Sequence, residues 1–193
     1  WHLESFFMTS QNVVIVTTTF YKSKEAEIRK SLSRDFFEKS RKIGCEVVNV
    51  DGGTPDSAYI NDLKRMGVYV YAETRRGLGN SRREAVSHAR SIAQSKGIEY
   101  MLWSEPEKVD LVRSIPYLLD MASVKQEDAV VPLRENMTGY PKAQELSECF
   151  GNQRHSDHGY IDRVGNSIDT FFGPKLWHIN STSYFLVFGE PKV

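Results

Sequence analysis

The sequence is poor in cysteine, has no excess of charge of either sign and contains no long apolar run. Cys45 and Cys149 are its two cysteines, and their separation suits neither a zinc site nor a disulfide framework, so we expect both to remain thiols. Lys plus Arg and Asp plus Glu both number 25, which leaves no net positive field to hold a nucleic acid. No apolar run is long enough to cross a bilayer, and residues 1–10 lack the layout of a signal peptide. These absences argue against a nucleic-acid-binding, secreted or transmembrane protein, and we expect a cytoplasmic one.

The overall composition, with 40% hydrophobic and 26% charged residues, is that of one ordinary globular domain. Apolar β-branched runs alternate with amphipathic segments. This pattern predicts strands at 12–17, 46–50, 68–71, 100–103 and 129–131, and helices at 23–43, 58–66, 78–96 and 110–121. The alternation predicts right-handed βαβ crossovers and an α/β fold with a mainly parallel sheet. After residue 132 the pattern fades, and we expect a helix near 142–150 and a last strand near 183–188.

Two of the predicted helices carry a stripe of residues at helical spacing, which predicts their buried faces. The first stripe comprises Ile28, Leu32 and Phe36, and the second comprises Leu78, Arg82, Ala85 and Ala89. An arginine on a buried face needs a partner, because an unpaired buried charge is costly. For Arg82 the partner is either a structural ion pair or a ligand such as a diphosphate oxygen.

Two loops at predicted strand ends contain glycine together with charged residues. Ligands of parallel sheets bind at the carboxyl ends of the strands, so these loops are the first candidates for a site. D-G-G-T-P from Asp51 is either a tight turn with an Asx hydrogen bond or a point of close approach to a ligand. R-R-G-L-G-N-S-R-R at 75–83 opens a helix with glycines and positive charge, which is typical of an anion site. It is not a dinucleotide-binding fingerprint, because Arg82 replaces the third glycine and the loop follows the third strand.

The segment S-E-P-E-K-V-D after the fourth predicted strand has two interpretations. Ser104 and Glu107 fit a capping box, and Pro106 suits a first helical turn. Alternatively, the chain before the proline is extended, and Glu105 and Glu107 then face one point where they hold a divalent cation. The sequence favours neither interpretation over the other.

In this order the segments resemble the nucleotide-sugar-binding part of glycosyltransferases of the GT-A fold, particularly the family 2 group. V-I-V-T-T-T-F from Val14 is similar to the family's V-I-I-P-T-Y-N, and V-N-V-D-G-G-T-P-D from Val48 is similar to V-V-D-D-G-S-T-D, with Gly52 in place of an acidic residue. R-G-L-G-N-S-R-R resembles the helix start N-x-G-x-x-x-A-R-N. Glu-Pro-Glu stands where the family has its metal-binding D-x-D, and F-F-G-P-K from Phe171 is a looser echo of an F-G-P near the acceptor region.

The resemblance implies a single Rossmann-like GT-A domain over 1–193, in which 12–131 bind the nucleotide sugar and 132–193 form an irregular acceptor side. The implied donor-binding residues are Thr18, Asp51, Gly77, Gly79 and Arg82. Candidate ligands for a divalent cation, Mn²⁺ or Mg²⁺, are Glu105, Glu107 and His178. Candidates for the base that takes the acceptor's proton are Asp157, Asp162 and Asp169.

The implied activity is transfer of a sugar from a nucleoside-diphosphate sugar to the hydroxyl of an unidentified acceptor, assisted by a divalent cation. One alternative is a non-catalytic nucleotide- or sugar-binding module of the same fold, because both aspartates of the D-x-D motif are changed. Another is a nucleotidyltransferase. Such enzymes place a basic glycine-rich loop after the first strand, where this chain has T-T-T-F-Y.

Overall fold

The computed structural model describes residues 11–22, 26–125, 129–130 and 175–178, with side chains up to residue 122. The strands are β1 (Val13–Thr19), β2 (Glu46–Asp51), β3 (Tyr69–Ala72), β4 (Tyr100–Trp103), β5 (Ala129–Val130) and β6 (Lys175–His178). The helices are α1 (Ala26–Lys42), α2 (Ser57–Arg65), α3 (Leu78–Lys96) and α4 (Ile115–Lys125), with a 3-10 helix (Val109–Ser114) before α4. The helix predicted at 142–150 and the strand predicted at 183–188 lie outside the described residues.

The strands form one six-stranded sheet in the order β3-β2-β1-β4-β6-β5. The neighbours β3, β2, β1 and β4 are parallel, whereas β6 runs antiparallel to both β4 and β5. This confirms the predicted α/β fold with a mainly parallel central sheet. Strand order reverses at β1, because β2 lies on one side of it and β4 on the other. The carboxyl ends of the four parallel strands share one edge of the sheet, which is where such folds bind ligands.

The first strand is apolar on both faces because helices cover both sides of the sheet. Val13 and Ile15 pack into a core cluster on the side of α1 and α2. Val14 and Val16 pack into a second cluster with buried residues of α3 on the opposite side. All four side chains are buried, which explains the near-continuous apolar run in the sequence.

The stripe predicted for α1 is only partly correct. Phe36 is fully buried, but Ile28 is 72% exposed and Leu32 is 40% exposed. The buried residues of α1 are Ala26, Lys30, Ser33, Phe36, Phe37 and Ser40. Ser33 and Ser40 tolerate burial because their hydroxyls donate to carbonyl oxygens of their own helix, at 2.8 and 2.7 Å. In α3 the stripe is buried at Arg82, Ala85 and Ala89, whereas Leu78 is 55% exposed.

The segment after β4 does not begin a helix at Pro106, so the capping-box interpretation is wrong. The backbone amide of Ser104 donates to the carbonyl oxygen of Val16 at 3.2 Å, because β4 continues alongside β1. The Ser104 hydroxyl donates to the carbonyl oxygen of Glu105 at 3.0 Å. A turn follows, closed by a 3.1 Å bond from the Lys108 amide to the carbonyl oxygen of Glu105, and the 3-10 helix begins only after it.

Within the described ranges, no helix combines the length and the apolar character needed to cross a membrane.

Candidate functional site

A cleft of about 330 Å³ opens at the carboxyl ends of β2 and β3. Its lining comprises the turn Asp51, Gly52 and Gly53, then Ile60 and Lys64 of α2, and Val70, Tyr71, Ala72, Glu73 and Arg76 from β3 and the loop that follows. The cleft therefore combines apolar walls, a glycine turn and four charged side chains. Of these residues, only those of the D-G-G turn and of the loop that contains Arg76 are predicted from the sequence.

Asp51 is buried, and its carboxylate holds the glycine turn. Oδ1 accepts from the Thr19 hydroxyl at 2.8 Å and from the Thr54 hydroxyl at 2.6 Å. Oδ2 accepts from the backbone amides of Gly53 and Thr54 at 2.9 and 2.7 Å. Because a carboxylate offers about four lone-pair sites, these four donors occupy all of Asp51's acceptor capacity. Both interpretations of the loop are compatible with this geometry, since an Asx turn has formed and the turn borders the cleft.

A buried polar ladder joins β1 to β2 below this turn. The Thr17 hydroxyl donates to Oδ1 of Asn49 at 2.8 Å, and the Asn49 amide donates to the Thr19 hydroxyl at 2.8 Å. The Thr19 hydroxyl in turn donates to Asp51. Each buried polar group of the ladder therefore has a partner, which fixes the positions of the two strand ends relative to each other.

The loop between β3 and α3 is anchored by carboxylates at both of its ends. The Glu84 carboxylate in α3 accepts from the Thr74 amide and hydroxyl, at 2.9 and 2.6 Å, and from the Arg75 amide at 3.2 Å. Oε1 of Glu73 accepts from the Ser81 hydroxyl at 2.6 Å. Gly77 is the N-cap of α3 with φ of 118°, a conformation that glycine adopts without strain. These contacts hold the backbone of the basic glycine-rich loop against the cleft.

Arg82 is buried at 8% exposure, and its guanidinium lies over the ring of Trp103, 5.1 Å from the ring centroid. The prediction that Arg82 lies on the buried face of its helix is confirmed. The contact is a cation–π interaction, which stabilises a desolvated guanidinium. It places Arg82 at the carboxyl end of β4, on the α3 side of the sheet.

Glu107 contacts the loop after β1 and helix α1. The Tyr21 hydroxyl donates to Oε1 of Glu107 at 2.8 Å, and Nε of Arg29 donates to the same oxygen at 2.8 Å. The Tyr21 amide donates to the Thr54 hydroxyl at 3.1 Å, which links this group to the Asp51 turn. Glu105 is different, because its side chain is 54% exposed and forms an ion pair with Lys108 at 3.1 Å.

The predicted site residues therefore divide between the two faces of the sheet. Glu107 contacts Tyr21, a member of the core cluster on the α1 side, whereas Arg82 stacks on Trp103 in the cluster on the α3 side. Thr18 is half-buried and alternates to the α3 side, opposite to Thr19. Asp51 and Glu107 are joined through Thr54 and Tyr21.

Four predicted residues lie where no side chain is described. His178 is the last residue of β6 and pairs in register with Tyr100, the first residue of β4. Glu105 follows the other end of β4, so the backbone places His178 at the opposite end of that strand. Asp157, Asp162 and Asp169 lie outside the described residues, and their role as bases stays a prediction.

The described residues include no group of three or more His, Cys, Asp or Glu side chains arranged to hold a metal ion. A Mg²⁺ bound to a nucleotide needs fewer protein ligands, because it typically uses one or two carboxylates together with phosphate oxygens and water. Glu105 fits that donor set, since its carboxylate is half-exposed at the carboxyl end of β4. Glu107 fits it less well, because its side chain is only 18% exposed and its Oε1 already accepts from both Tyr21 and Arg29.

Comparison with solved structures identifies the fold. Glucosyl-3-phosphoglycerate synthase from Mycobacterium tuberculosis, crystallised with Mn²⁺, UDP-glucose and phosphoglyceric acid, superposes with a TM-score of 0.57 at 12% identity, over 93% of this chain and 61% of that one. The chain has a GT-A-like fold. A second structure of the M. tuberculosis synthase gives a TM-score of 0.54 at 11% identity, over 93% of this chain and 62% of that one. The GT-A-like chain thus spans roughly three fifths of the length of these synthases. No protein-family model and no curated protein matches its sequence.

Proposed function

We propose that the protein is a glycosyltransferase that binds a nucleoside-diphosphate sugar at the carboxyl edge of its sheet and transfers the sugar to an acceptor hydroxyl. The observation that carries this proposal is the cleft of about 330 Å³ at the ends of β2 and β3, in a GT-A-like fold. A synthase with the same fold was crystallised with UDP-glucose and Mn²⁺. The finer assignment, a family 2-like enzyme with Glu-Pro-Glu in place of D-x-D, is part of the proposal.

The nucleoside occupies the cleft, and the diphosphate extends toward the start of α3. Ile60 and Val70, which pack against the core cluster on the side of α1 and α2, supply apolar surface for a base and a ribose. Asp51 acts by fixing the glycine turn through its four hydrogen bonds. The amino-terminal end of α3, at Gly77 and Gly79, carries the partial positive charge of the helix dipole toward the diphosphate.

Arg82 and Thr18 act on the α3 side of the sheet edge. The guanidinium of Arg82 is held on Trp103 in a buried setting, where a positive charge stabilises developing negative charge more strongly than in water. It therefore stabilises the leaving diphosphate. Thr18 follows the apolar part of β1 and offers a half-buried hydroxyl to the donor on that side.

Glu105 would hold a divalent cation, Mn²⁺ or Mg²⁺, beside the diphosphate. When bound, such a cation neutralises the negative charge that the leaving diphosphate gains. Glu107 contributes mainly by tying the loop after β4 to α1, through Arg29 and Tyr21. The predicted role of His178 as a ligand of the same cation is not kept, because His178 lies at the opposite end of β4 from Glu105. Asp157, Asp162 and Asp169 as bases stay predictions.

Calorimetric titration of the protein with UDP, GDP, CDP and ADP, each with and without MnCl₂, tests this function. We expect saturable binding of at least one diphosphate, strengthened by Mn²⁺. We expect Glu105→Gln to remove most of the Mn²⁺ effect, whereas Glu107→Gln keeps much of it. Binding of none of the four, with or without the cation, would remove the proposal.

A non-catalytic binding module is the second candidate, and one observation favours it. Glu107, one of the two glutamates at the D-x-D position, has its carboxylate bound by Tyr21 and Arg29. Release of UDP from a panel of UDP-sugars, measured with and without candidate acceptors, separates the two functions. A protein that binds UDP tightly but never turns over any UDP-sugar is a module.

A further inference from the structure

The side chain of Glu73 lines the cleft and is held in position by a residue that does not line it. Glu73 directly follows β3, and its Oε1 accepts a 2.6 Å hydrogen bond from the Ser81 hydroxyl of α3. Its other oxygen, Oε2, lies 3.5 Å from the position that a Cβ on Gly52 would occupy. The Phe20 ring comes closer still, with Cδ2 3.0 Å from that position, so Oε2 of Glu73 and the exposed Phe20 ring both border the glycine turn.

The other acceptors and donors around the turn are already used. Asp51 accepts four hydrogen bonds, which fill both of its oxygens. The amide of Gly52 donates to the carbonyl oxygen of Thr19 at 2.8 Å, and the amides of Gly53 and Thr54 donate to Asp51. Among the described side chains that line the cleft, Glu73 is thus the carboxylate with acceptor capacity left for a ligand.

Two cations line the same cleft. Lys64 comes from α2 and Arg76 from the loop before α3. Both side chains are exposed. The cleft therefore offers one negatively charged acceptor and two positively charged donors.

The four common bases place different demands on such a set of groups. Uracil has one ring N–H between two carbonyl oxygens, so it needs one acceptor and two donors. Guanine presents a ring N–H and an amino group beside one carbonyl, so it needs two acceptors and one donor. Cytosine and adenine have no ring N–H at this edge, so a carboxylate opposite their ring nitrogen repels its lone pair.

We infer that Glu73 is the residue that reads the base of the donor, and that it selects uracil by accepting the N3–H bond while Lys64 and Arg76 donate to the two carbonyl oxygens. The inference rests on the proposed function, since it assigns the base that the same cleft binds. Ser81 is a positioning residue, because it orients Glu73 without touching the base.

The test is a comparison of UDP and CDP affinities by calorimetry with the full chain. Wild type is expected to bind UDP more tightly than CDP. Glu73→Gln is expected to weaken UDP binding roughly tenfold, since a hydrogen bond to a charged acceptor is lost. The amide introduced by this change donates to N3 of cytosine, so CDP affinity holds or rises and the UDP/CDP preference falls.

Two further variants separate a change in base specificity from a general loss of folding or binding. Ser81→Ala keeps the carboxylate but releases Oε1, so the UDP/CDP preference falls by a smaller factor. Glu38→Gln changes an exposed glutamate that pairs with Lys42 in α1 and does not line the cleft, and it leaves the preference at the wild-type value. Melting temperatures of all variants confirm that each is folded.

The outcomes distinguish this inference from the proposed function. If wild type binds no nucleoside diphosphate, the proposed function fails and the inference fails with it. If wild type binds UDP but folded Glu73→Gln and Ser81→Ala both retain the wild-type UDP/CDP preference, the inference alone is overturned. A wild-type preference for GDP over UDP also overturns it, because the cleft then presents two acceptors.

Discussion

The Tyr21 hydroxyl donates a 2.8 Å hydrogen bond to Oε1 of Glu107, which joins the loop after β1 to the loop after β4. Nη2 of Arg29 lies 2.7 Å from the same oxygen, so helix α1 takes part in the junction. Burial and the nearby Glu107 carboxylate hold the pKa of the Tyr21 hydroxyl above its ordinary value, so this hydroxyl remains a donor. Glu107, predicted from the sequence as a metal ligand, thus stabilises the edge of the sheet where the site lies.

We expect Glu107→Gln to lower the free energy of unfolding by about 1 kcal/mol or less, because the Arg29 side chain is 59% exposed and its ion pair is screened by solvent. Glu107→Ala should cost more, roughly 1–3 kcal/mol, because it leaves the buried Tyr21 hydroxyl without its acceptor. Urea unfolding measures both. If Glu107→Gln leaves stability intact but abolishes the Mn²⁺ effect on nucleotide binding, Glu107 is a cation ligand and not a structural tie.

Asp51→Asn is expected to lower stability by about 2 kcal/mol or more. A carboxamide has one acceptor oxygen, so its amino group would face donors from Gly53 and Thr54 that now bind the carboxylate. Chemical denaturation reports the change. Asp35→Asn, which alters a carboxylate on the exposed surface of α1, is the matched control and should fall within about 0.5 kcal/mol of wild type. Equal effects of the two substitutions would contradict the role of Asp51 in holding the turn.

The glycines of the two site loops should respond to alanine in opposite directions. Gly53 has φ of 95°, so Gly53→Ala is expected to cost about 1 kcal/mol through backbone strain, although the space around it is open. Gly79 lies in the first turn of α3, and a Cβ there meets Arg83 at an ordinary contact distance of 3.6 Å. Gly79→Ala should therefore be neutral or stabilise by up to about 1 kcal/mol. Thermal melting of the two variants gives the comparison, and a stabilising Gly53→Ala would show that the turn has another geometry.

Burial raises the pKa of the Cys45 thiol from 9.0 to about 12. Below pH 9 the thiol is neutral in both the folded and the unfolded protein, so it gives the free energy of unfolding no pH dependence. As pH rises from 9 toward 12, the unfolded thiol ionises first, and the free energy of unfolding falls progressively. The loss approaches about 1.4 kcal/mol per pH unit within that window. Melting between pH 7 and 10 should show a shallower alkaline decline for Cys45→Ala than for wild type. Parallel declines would mean that Cys45 ionises as readily in the folded protein as in the unfolded one.

The parallel half of the sheet could be predicted closely because its strands are buried on both faces. Predicted and observed bounds agree within two residues for β1 to β4. The largest difference is the carboxyl end of β1, which continues through Thr18 and Thr19. These threonines do not look like core residues, yet the Thr19 hydroxyl has its partners in the polar ladder with β2.

Strand β6 could not be predicted from local pattern. Its four residues, K-L-W-H, show no sustained alternation, and the strand exists because it pairs antiparallel with β4 from a distant part of the chain. Local pattern also failed to predict the buried face of α1. There, buried Ser33 and Ser40 bond to their own helix, and the apolar Ile28 is exposed.

The candidate site was predicted in part. The rule that ligands bind at the ends of parallel strands selected Asp51 and the loop before α3, and both border the cleft. The same rule applied to β3 would have selected Glu73, which directly follows that strand. No sequence pattern indicated Lys64 as a site residue, because it lies at the end of a short helix and reaches the cleft only through the tertiary fold.

The most direct test of the central claim is a crystal structure of the protein grown with UDP and MnCl₂, with anomalous data to locate manganese. The account predicts electron density for the base beside Gly52, Phe20 and Glu73, and an anomalous peak near the diphosphate and Glu105. Nucleotide density at any other surface, with this cleft closed by protein side chains, would contradict it.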